Sequence, residues 1–131
     1  ISSFCDGVTK RLQDEDITGR SKKMLIINNT GVMKKLNADK TIAKELSEAI
    51  KMANEADCFL LLANVENQNV GFNSSEVLKT VKELRQAVLF EQLVDNKIFE
   101  MGSRVKADTN FDTTMGYLFE GNTYSKIKIF E

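Results

Sequence analysis

Three asparagines stand directly after two apolar runs of the chain, at positions where an α/β protein often carries its chemistry. Asn28 and Asn29 follow residues 24–27, and Asn64 follows residues 58–63. If both runs are parallel strands, their carboxyl ends meet at the edge of the sheet where ligands usually bind. A nucleotide hydrolase carries acidic side chains there, which hold Mg²⁺ and handle the attacking water. An amide can accept a hydrogen bond at such a position, but it has no charge and cannot take up a proton.

The asparagines support two interpretations, and the residues alone leave both open. In the first, Asn28 and Asn29 face a nucleotide pocket that has lost its acidic groups, and Asn64 reaches toward the terminal phosphate. In the second, the first pair caps a strand and starts a turn, and Asn64 is a turn residue. Arg85 and Arg104 could act on a neighbour's nucleotide, although an ordinary surface position is the simpler interpretation of each.

Composition excludes several classes of site. The chain has no histidine, which removes histidine-based nucleophile pairs, histidine general bases and zinc-finger spacings. Its seven glycines are scattered and form no Gly-x-x-x-x-Gly-Lys-[Ser/Thr] loop that could cradle phosphates. A net charge of −1, from 18 basic and 19 acidic residues, gives no reason to expect nucleic-acid binding. Cys5 and Cys58 make no disulfide framework, and Cys58 is predicted to be a buried thiol.

The spacing of apolar residues indicates which elements would position the asparagines. Residues 24–27 and 58–63 are short, uninterrupted apolar runs, which predict strands buried on both faces. Residues 2–14 predict an amphipathic helix before the first strand. A longer helix between the strands begins at Asp39, which suits an N-cap, and ends near Asn54.

The later part of the chain predicts a helix, a third strand and a hairpin. Asn73 and Glu76 resemble a capping box. The helix that they begin carries an apolar stripe, formed by Val77, Leu78, Val81 and Leu84. Residues 86–90 predict a strand, and residues 116–130 predict a terminal hairpin with its turn at residues 120–122.

Together these elements predict a single α/β domain of 131 residues. The sheet is expected to be mainly parallel, with flanking helices and a C-terminal β-hairpin. Residues 24–27, 58–63 and 87–89 are expected to lie side by side in it, because buried apolar runs alternate with amphipathic helices along the chain.

Two apolar surfaces outside the sheet core are candidates for partner binding. One is the part of the third helix around Val81 and Leu84. The other is the loop that carries Val94, Ile98 and Phe99. Bulky apolar side chains are unusual in a loop unless something covers them, so we expect these residues to contact another protein or module.

Taken in order, these stretches resemble the nucleotide-binding modules of the FtsK/SpoIIIE ATPases. They are most similar to the last ATPase module of the EssC/EccC family, the membrane-anchored coupling ATPases of type VII secretion. Four stretches carry the resemblance: the strand ending in Asn28-Asn29 at the Walker B position, the strand ending in Asn64, the strand and Asp-bearing loop of residues 87–99, and the hairpin that begins at Gly116.

The resemblance implies a RecA-like, P-loop NTPase-like fold, of which this chain is a fragment without the phosphate-loop half. The first residue, Ile1, also favours a piece of a longer protein. The implied module is a pseudo-ATPase without catalytic residues. Its degenerate nucleotide pocket, at Asn28, Asn29 and Asn64, is expected to bind ATP weakly or not at all and to hold no Mg²⁺.

The implied partners are a small helical secreted substrate of the WXG100-like kind and other ATPase modules of the same chain, with a hexamer possible in the intact protein. The resemblance also implies that the chain belongs to the cytoplasmic domain of a membrane-anchored protein. Two alternatives remain at this stage. One is an active FtsK-type ATPase or DNA translocase domain that uses an upstream P-loop, and the other is a free-standing α/β adaptor.

Overall fold

The computed structural model describes residues 1–65 and 75–129. The chain forms two compact units, Ile1–Thr80 and Val81–Glu131. The predicted capping residue Asn73 and the end of the predicted hairpin at residue 130 lie outside the described residues. That the chain is a single domain stays a prediction.

Unit 1 combines helices with a parallel strand pair. In chain order its elements are α1 (Ser2–Gln13), β1 (Lys23–Ile27), α2 (Thr30–Ala38), α3 (Lys40–Ala53), a 3₁₀ turn (Asn54–Ala56) and β2 (Cys58–Leu62). The helix α4 (Glu76–Leu84) begins in this unit and ends in the next. The predicted N-cap of α3 is confirmed, because the Asp39 carboxylate accepts hydrogen bonds from the backbone N–H groups of Thr41 and Ile42, both at 3.1 Å.

The strand pair confirms the predicted parallel arrangement of the first two apolar runs. Lys23 lies opposite Cys58 and Ile27 lies opposite Leu62. One backbone hydrogen bond continues the pairing beyond the strands, from the N–H of Ala63 to the carbonyl oxygen of Ile27 at 2.9 Å. The two carboxyl ends therefore lie side by side.

Mostly small residues form the cluster of the core that joins α1, α3 and β2. Val8 of α1 is fully buried and packs with Ala49 and Ala53 of α3, with Ala56, and with the thiol of Cys58. The short alanine side chains let α1 approach α3 closely. The burial of Cys58 confirms its prediction.

The prediction that both strands are buried on both faces is wrong. α1 and α3 pack on the face that carries Cys58. On the opposite face Met24 and Ile26 are each 59% exposed, and Leu61 is 47% exposed. The apolar run alone could not reveal this, because it shows how many faces are apolar and not how many helices are present to cover them.

Unit 2 contains an antiparallel sheet of three strands in its described part, β3 (Gln86–Leu89), β4 (Met115–Glu120) and β5 (Thr123–Lys128). The last two form the predicted hairpin, and Gly121 in its turn has a φ of 62°, a conformation that glycine adopts without strain. An aromatic core covers one face of this sheet. Its buried members are Leu89, Leu93, Phe99, Tyr117 and Phe119.

The α/β class, with its parallel strands, flanking helices and C-terminal hairpin, is confirmed, but the predicted position of the third strand is wrong. β3 pairs antiparallel with β4, with Leu89 opposite Tyr117. It belongs to the sheet of the hairpin rather than to the sheet of β1 and β2. The hairpin offers β3 a pairing edge and an aromatic core for Leu89 to join.

Among the described residues, no helix is long and apolar enough to cross a membrane.

Candidate functional site

The carboxyl ends of β1 and β2 bring two of the three predicted asparagines into direct contact. Asn28 follows β1, and its Oδ1 accepts a hydrogen bond from Nδ2 of Asn64 at 2.5 Å. Both side chains are exposed. Asn64 has a φ of 54°, a left-handed conformation that asparagine tolerates better than most residues. The parallel pairing thus assembles a small amide site where the sequence predicts one.

Asn29, the third asparagine, is the N-cap of α2. Its Oδ1 accepts hydrogen bonds from the N–H groups of Gly31 at 2.7 Å and Val32 at 3.4 Å. A Cβ atom on Gly31 would lie 2.9 Å from this oxygen, so a glycine suits the cap. The backbone oxygen of Asn29 accepts the next N–H group, from Met33 at 3.3 Å. The N–H groups of Gly31, Val32 and Met33, which could otherwise attract an anion, therefore already have partners.

The amide site offers hydrogen bonds but no acid-base chemistry. The Asn28–Asn64 pair and the neighbouring Asn29 supply amide oxygens, whereas a protein site for Mg²⁺ is usually built on one or two carboxylates together with phosphates. Three uncharged amide oxygens do not fit a magnesium site. Across the described residues as a whole, no group of three or more His, Cys, Asp or Glu side chains is placed to hold a metal ion. The nucleotide role of Asn28, Asn29 and Asn64 stays a prediction.

A second polar cluster, centred on Asp108 in unit 2, was not predicted from the sequence. The Oδ2 atom of Asp108 accepts hydrogen bonds from Lys126 Nζ at 2.7 Å and from the Tyr117 hydroxyl at 3.0 Å. Its Oδ1 atom accepts from the N–H of Asn110 at 2.9 Å. Gln92 holds the backbone of Asp108 with two further hydrogen bonds, at 2.8 and 2.9 Å.

This cluster keeps Asp108 ionised and holds a loop against the sheet. The hydrogen bond from Lys126 is the main cause that lowers the pKa of Asp108, and the Asn110 N–H adds to it. Burial, followed by the hydrogen bond to Asp108, raises the pKa of Tyr117. A carboxylate with this many partners serves structure rather than proton transfer. The hairpin register could have indicated part of it, because Tyr117 lies opposite Lys126.

In the predicted partner-binding loop, Phe99 and Ile98 point into unit 2 rather than into solvent. Phe99 is only 5% exposed, and its ring lies 4.7 Å from the Phe119 ring, centroid to centroid. Ile98 is half-buried against the same core. Asn96 explains the inward turn, since its Oδ1 accepts the N–H groups of Ile98 and Phe99 at 2.8 and 3.2 Å. Phe99 is therefore covered by residues of its own unit, and partner binding by Phe99 or Ile98 stays a prediction.

Three other predicted partner residues retain exposed surface. Val94 is 45% exposed and lines a pocket of about 370 Å³ together with Leu93, Phe99 and Val105. On α4, Leu84 is 50% exposed and Val81 is half-buried. Whether these residues bind a partner stays a prediction.

Arg85, considered above as a residue that acts on a neighbouring molecule, has contacts within unit 2. Its Nε donates to the carbonyl oxygen of Gly121 at 2.7 Å, and its guanidinium carbon lies 5.3 Å from the centroid of the Phe99 ring. These contacts tie the start of β3 to the hairpin turn. They support the simpler of the two interpretations of this arginine.

Comparison with known proteins gives one result about the fold. No family model matches the chain, and no curated protein matches it in sequence. A solved structure entitled "The cytoplasmic domain of EssC" is similar, with a TM-score of 0.62 and 14% sequence identity over 99% of this chain. The fold is that of an EssC-like domain.

The matched region is 25% of the EssC chain, so this chain spans about a quarter of that protein's solved length. At 14% identity the similarity concerns the fold. It agrees with the resemblance to the EssC/EccC family drawn from the sequence, but it does not indicate which ATPase module of such a protein the chain corresponds to.

Proposed function

We propose that this chain is a degenerate ATPase module of a type VII secretion motor, part of the cytoplasmic region of a membrane-anchored protein. Its work would be to recognise a partner and to influence how the motor assembles, rather than to hydrolyse ATP. The similarity of fold to EssC supports the family. The observation that carries the loss of hydrolysis is the amide site, where Asn28 and Asn64 bind each other.

The chemistry of this site argues against turnover. Phosphoryl transfer to water depends on a metal ion that neutralises the phosphate charge and on a side chain that orients the attacking water. The Asn28 oxygen is already occupied by Asn64, and the Asn29 oxygen is occupied by the first amides of α2. Neither residue can bring negative charge to a metal ion. ATP would therefore bind weakly or not at all.

Partner recognition gives such a module a role without hydrolysis. The proposed partners are a small helical secreted substrate of the WXG100-like kind and the other ATPase modules of the same protein, which could assemble as a hexamer. Val94 in unit 2 and Leu84 on α4 are apolar and exposed. An amphipathic helix can bind apolar surfaces of this kind.

A phosphate-release assay on the purified chain with ATP and Mg²⁺ tests the loss of hydrolysis. We expect release equal to a protein-free blank. Neither Asn28→Asp nor the double variant Asn28→Asp with Asn29→Glu should raise it, because the sequence supplies no phosphate-cradling loop.

Lys44→Ala, on the exposed side of α3, is the control for surface substitution. Release above the blank that Asn28→Ala abolishes and Lys44→Ala preserves would overturn the proposal. A thermal-shift titration with ATP gives a second readout, and we expect no saturable rise in the unfolding temperature.

A further inference from the structure

A long loop of unit 2 is closed at its base by Gln92 and Asp108. The Gln92 side chain donates a hydrogen bond to the carbonyl oxygen of Asp108 at 2.9 Å and accepts one from its N–H group at 2.8 Å, although the two residues are 16 positions apart in the chain. The residues between them form turns but no helix or strand. We call residues 92–108 the covering loop. Loops of this length with close ends are compact and often functional.

The covering loop packs its apolar side chains on the aromatic core of unit 2. Its members in that core are Leu93, Ile98, Phe99, Met101 and Val105. Phe99 is 5% exposed and stacks on Phe119 of β4, which is 1% exposed. Movement of the loop away from the sheet would therefore uncover apolar surface on the loop and on the sheet.

Asp108 joins the covering loop to the hairpin. Its Oδ2 atom accepts hydrogen bonds from Lys126 Nζ at 2.7 Å and from the Tyr117 hydroxyl at 3.0 Å. We call the contact between Asp108 and Lys126 the latch. Their side chains are 27% and 33% exposed, so salt in the surrounding water can weaken the latch.

The strand beneath the covering loop has both of its edges paired with other strands. β4 pairs with β3 on one edge and with β5 on the other, so it offers the loop no backbone ladder. A segment outside the helices and sheets of a fold opens at a lower free energy than the strands of its core. The two hydrogen bonds between Gln92 and Asp108 lie within the loop, so an opened loop keeps its ends together.

We propose that the covering loop opens as one unit when the latch is released, and that this opening controls access to Phe99 and to Phe119 beneath it. In the closed state the fold covers Phe99, which the sequence predicts to contact a partner. In the open state its ring is accessible. The proposal goes beyond the proposed function, because loop opening is measurable whatever the chain binds.

Trypsin reports the opening, because Lys97 and Arg104 lie in the covering loop. Cleavage of a segment that leaves the fold transiently follows the population of its open form. The 131-residue chain is digested briefly, and mass spectrometry identifies the positions that are cut. Cleavage after Lys44 in α3 and after Lys128 in β5 provides the reference for unfolding of the two units.

Asp108→Asn removes the charge of the latch and keeps an oxygen that the Tyr117 hydroxyl can use. We expect cleavage in the covering loop to be about tenfold faster, the size of one charge-assisted hydrogen bond. Cleavage after Lys44 and Lys128 should not change. The matched control is Asp112→Asn, outside the covering loop, where the new side-chain oxygen can still accept the N–H group of Thr114; all of its cleavage rates should equal those of the parent chain.

A second variant removes the other partner of the latch. Lys126→Met should accelerate cleavage in the covering loop as much as Asp108→Asn does. The double variant should be no faster than either single variant, because both remove the same contact. Circular dichroism checks that each variant is folded, and Lys126→Met carries the test if Asp108→Asn does not fold.

Salt separates the latch from the apolar packing of the loop. Raising KCl from about 0.1 M to about 1 M shortens the screening length from about 10 Å to about 3 Å. Relative to cleavage after Lys44, cleavage in the covering loop should therefore become faster in the parent chain. In Asp108→Asn it should respond much less, because the charged latch is already absent.

The proposal is overturned if Asp108→Asn and Asp112→Asn are cleaved at the same rate in the covering loop. It is equally overturned if cleavage after Lys128 accelerates in step with the loop, because the cluster would then support the whole sheet and the loop would not open by itself. A salt response of the same size in Asp108→Asn and in the parent chain would also contradict it. None of these results depends on phosphate release, so failure here is distinguishable from failure of the proposed loss of hydrolysis.

Discussion

The two sheets of this molecule differ in how much of their apolar faces is covered and in how their polar groups are paired. In unit 1 the parallel pair β1–β2 has one face covered by α1 and α3, while Met24 and Ile26 on the other face remain exposed. In unit 2 the loop between β3 and β4 folds back over the antiparallel sheet, so that Phe99 stacks on Phe119 and Phe111 stacks on Tyr117.

The polar groups show the same contrast. The site at the ends of β1 and β2 is accessible but carries only neutral amides. The Asp108 carboxylate of unit 2 is ionised, and it is occupied by Lys126, Tyr117 and Asn110. The ionised cluster described in unit 2 therefore serves structure. The exposed sheet face and the exposed amides of unit 1 are suited to binding and not to catalysis.

The largest expected difference between the two sheets is in their cores. Phe119 is 1% exposed and stacks on both Phe99 and Tyr124. Phe119→Ala should lower the free energy of unfolding by about 3–5 kcal/mol, because it leaves a cavity in a packed aromatic core. Ile26→Ala, on the uncovered face of the β1–β2 pair, should cost less than about 1 kcal/mol, since that side chain already contacts water.

Urea unfolding followed by circular dichroism measures both variants. Equal costs would contradict the difference between the two sheets, because they would mean that Ile26 is covered in solution. Because Phe99 is buried, Phe99→Ala is also a core variant. A loss of partner binding in this variant could follow from a loss of stability, so it would not identify a docking site.

A smaller effect is expected at the amide site. Asn29→Ala removes the N-cap of α2 and should reduce stability by about 1 kcal/mol. Asn29→Asp should keep the cap, because a carboxylate accepts the same two N–H groups and also interacts favourably with the helix N-terminus. Unfolding curves of the two variants provide the measurement. If Asn29→Ala is as stable as the parent chain, the capping contact contributes nothing in solution.

The smallest effect concerns the dependence of stability on pH in unit 2. The pKa of Asp108 is lower in the folded protein, so its contribution is present above the pKa of an unfolded aspartate and is lost as the pH falls through the folded value. The pKa of Tyr117 is raised, so its contribution is present at neutral pH and declines as the pH rises beyond the pKa of an unfolded tyrosine.

The unfolding temperature should therefore decrease at both acidic and strongly alkaline pH. Asp108→Asn should reduce the acidic decrease, and Tyr117→Phe should reduce the alkaline decrease. The control is Asp39→Asn in unit 1. The Asp39 carboxylate accepts hydrogen bonds from the backbone N–H groups of Thr41 and Ile42, and an asparagine oxygen can accept the same two bonds. An acidic decrease of the same size in Asp108→Asn and in the parent chain would contradict the assignment.

Local sequence patterns were sufficient for much of the fold. Asp39 caps α3 through N–H groups two and three residues away, and the hairpin follows from the alternation of lysine and isoleucine at 126–129 and from the turn that contains Gly121. The parallel pair follows from two apolar runs separated by an amphipathic helix. Because such signals involve neighbouring residues or a regular period, they are present in the sequence itself. The position of Asn28 beside Asn64 then follows from the parallel pairing.

Other features depend on which distant surfaces are available, and only the tertiary structure decided them. A short strand of four residues such as β3 can pair with any free strand edge, and it pairs with the hairpin. Phe99 turns inward because Asn96 folds the loop back toward the ring of Phe119. Met24 and Ile26 stay exposed because α1 and α3 pack on the side of the sheet that carries Cys58. In each case the deciding contact joins residues that are far apart in the chain or depends on the number of elements present, and neither is encoded in local spacing.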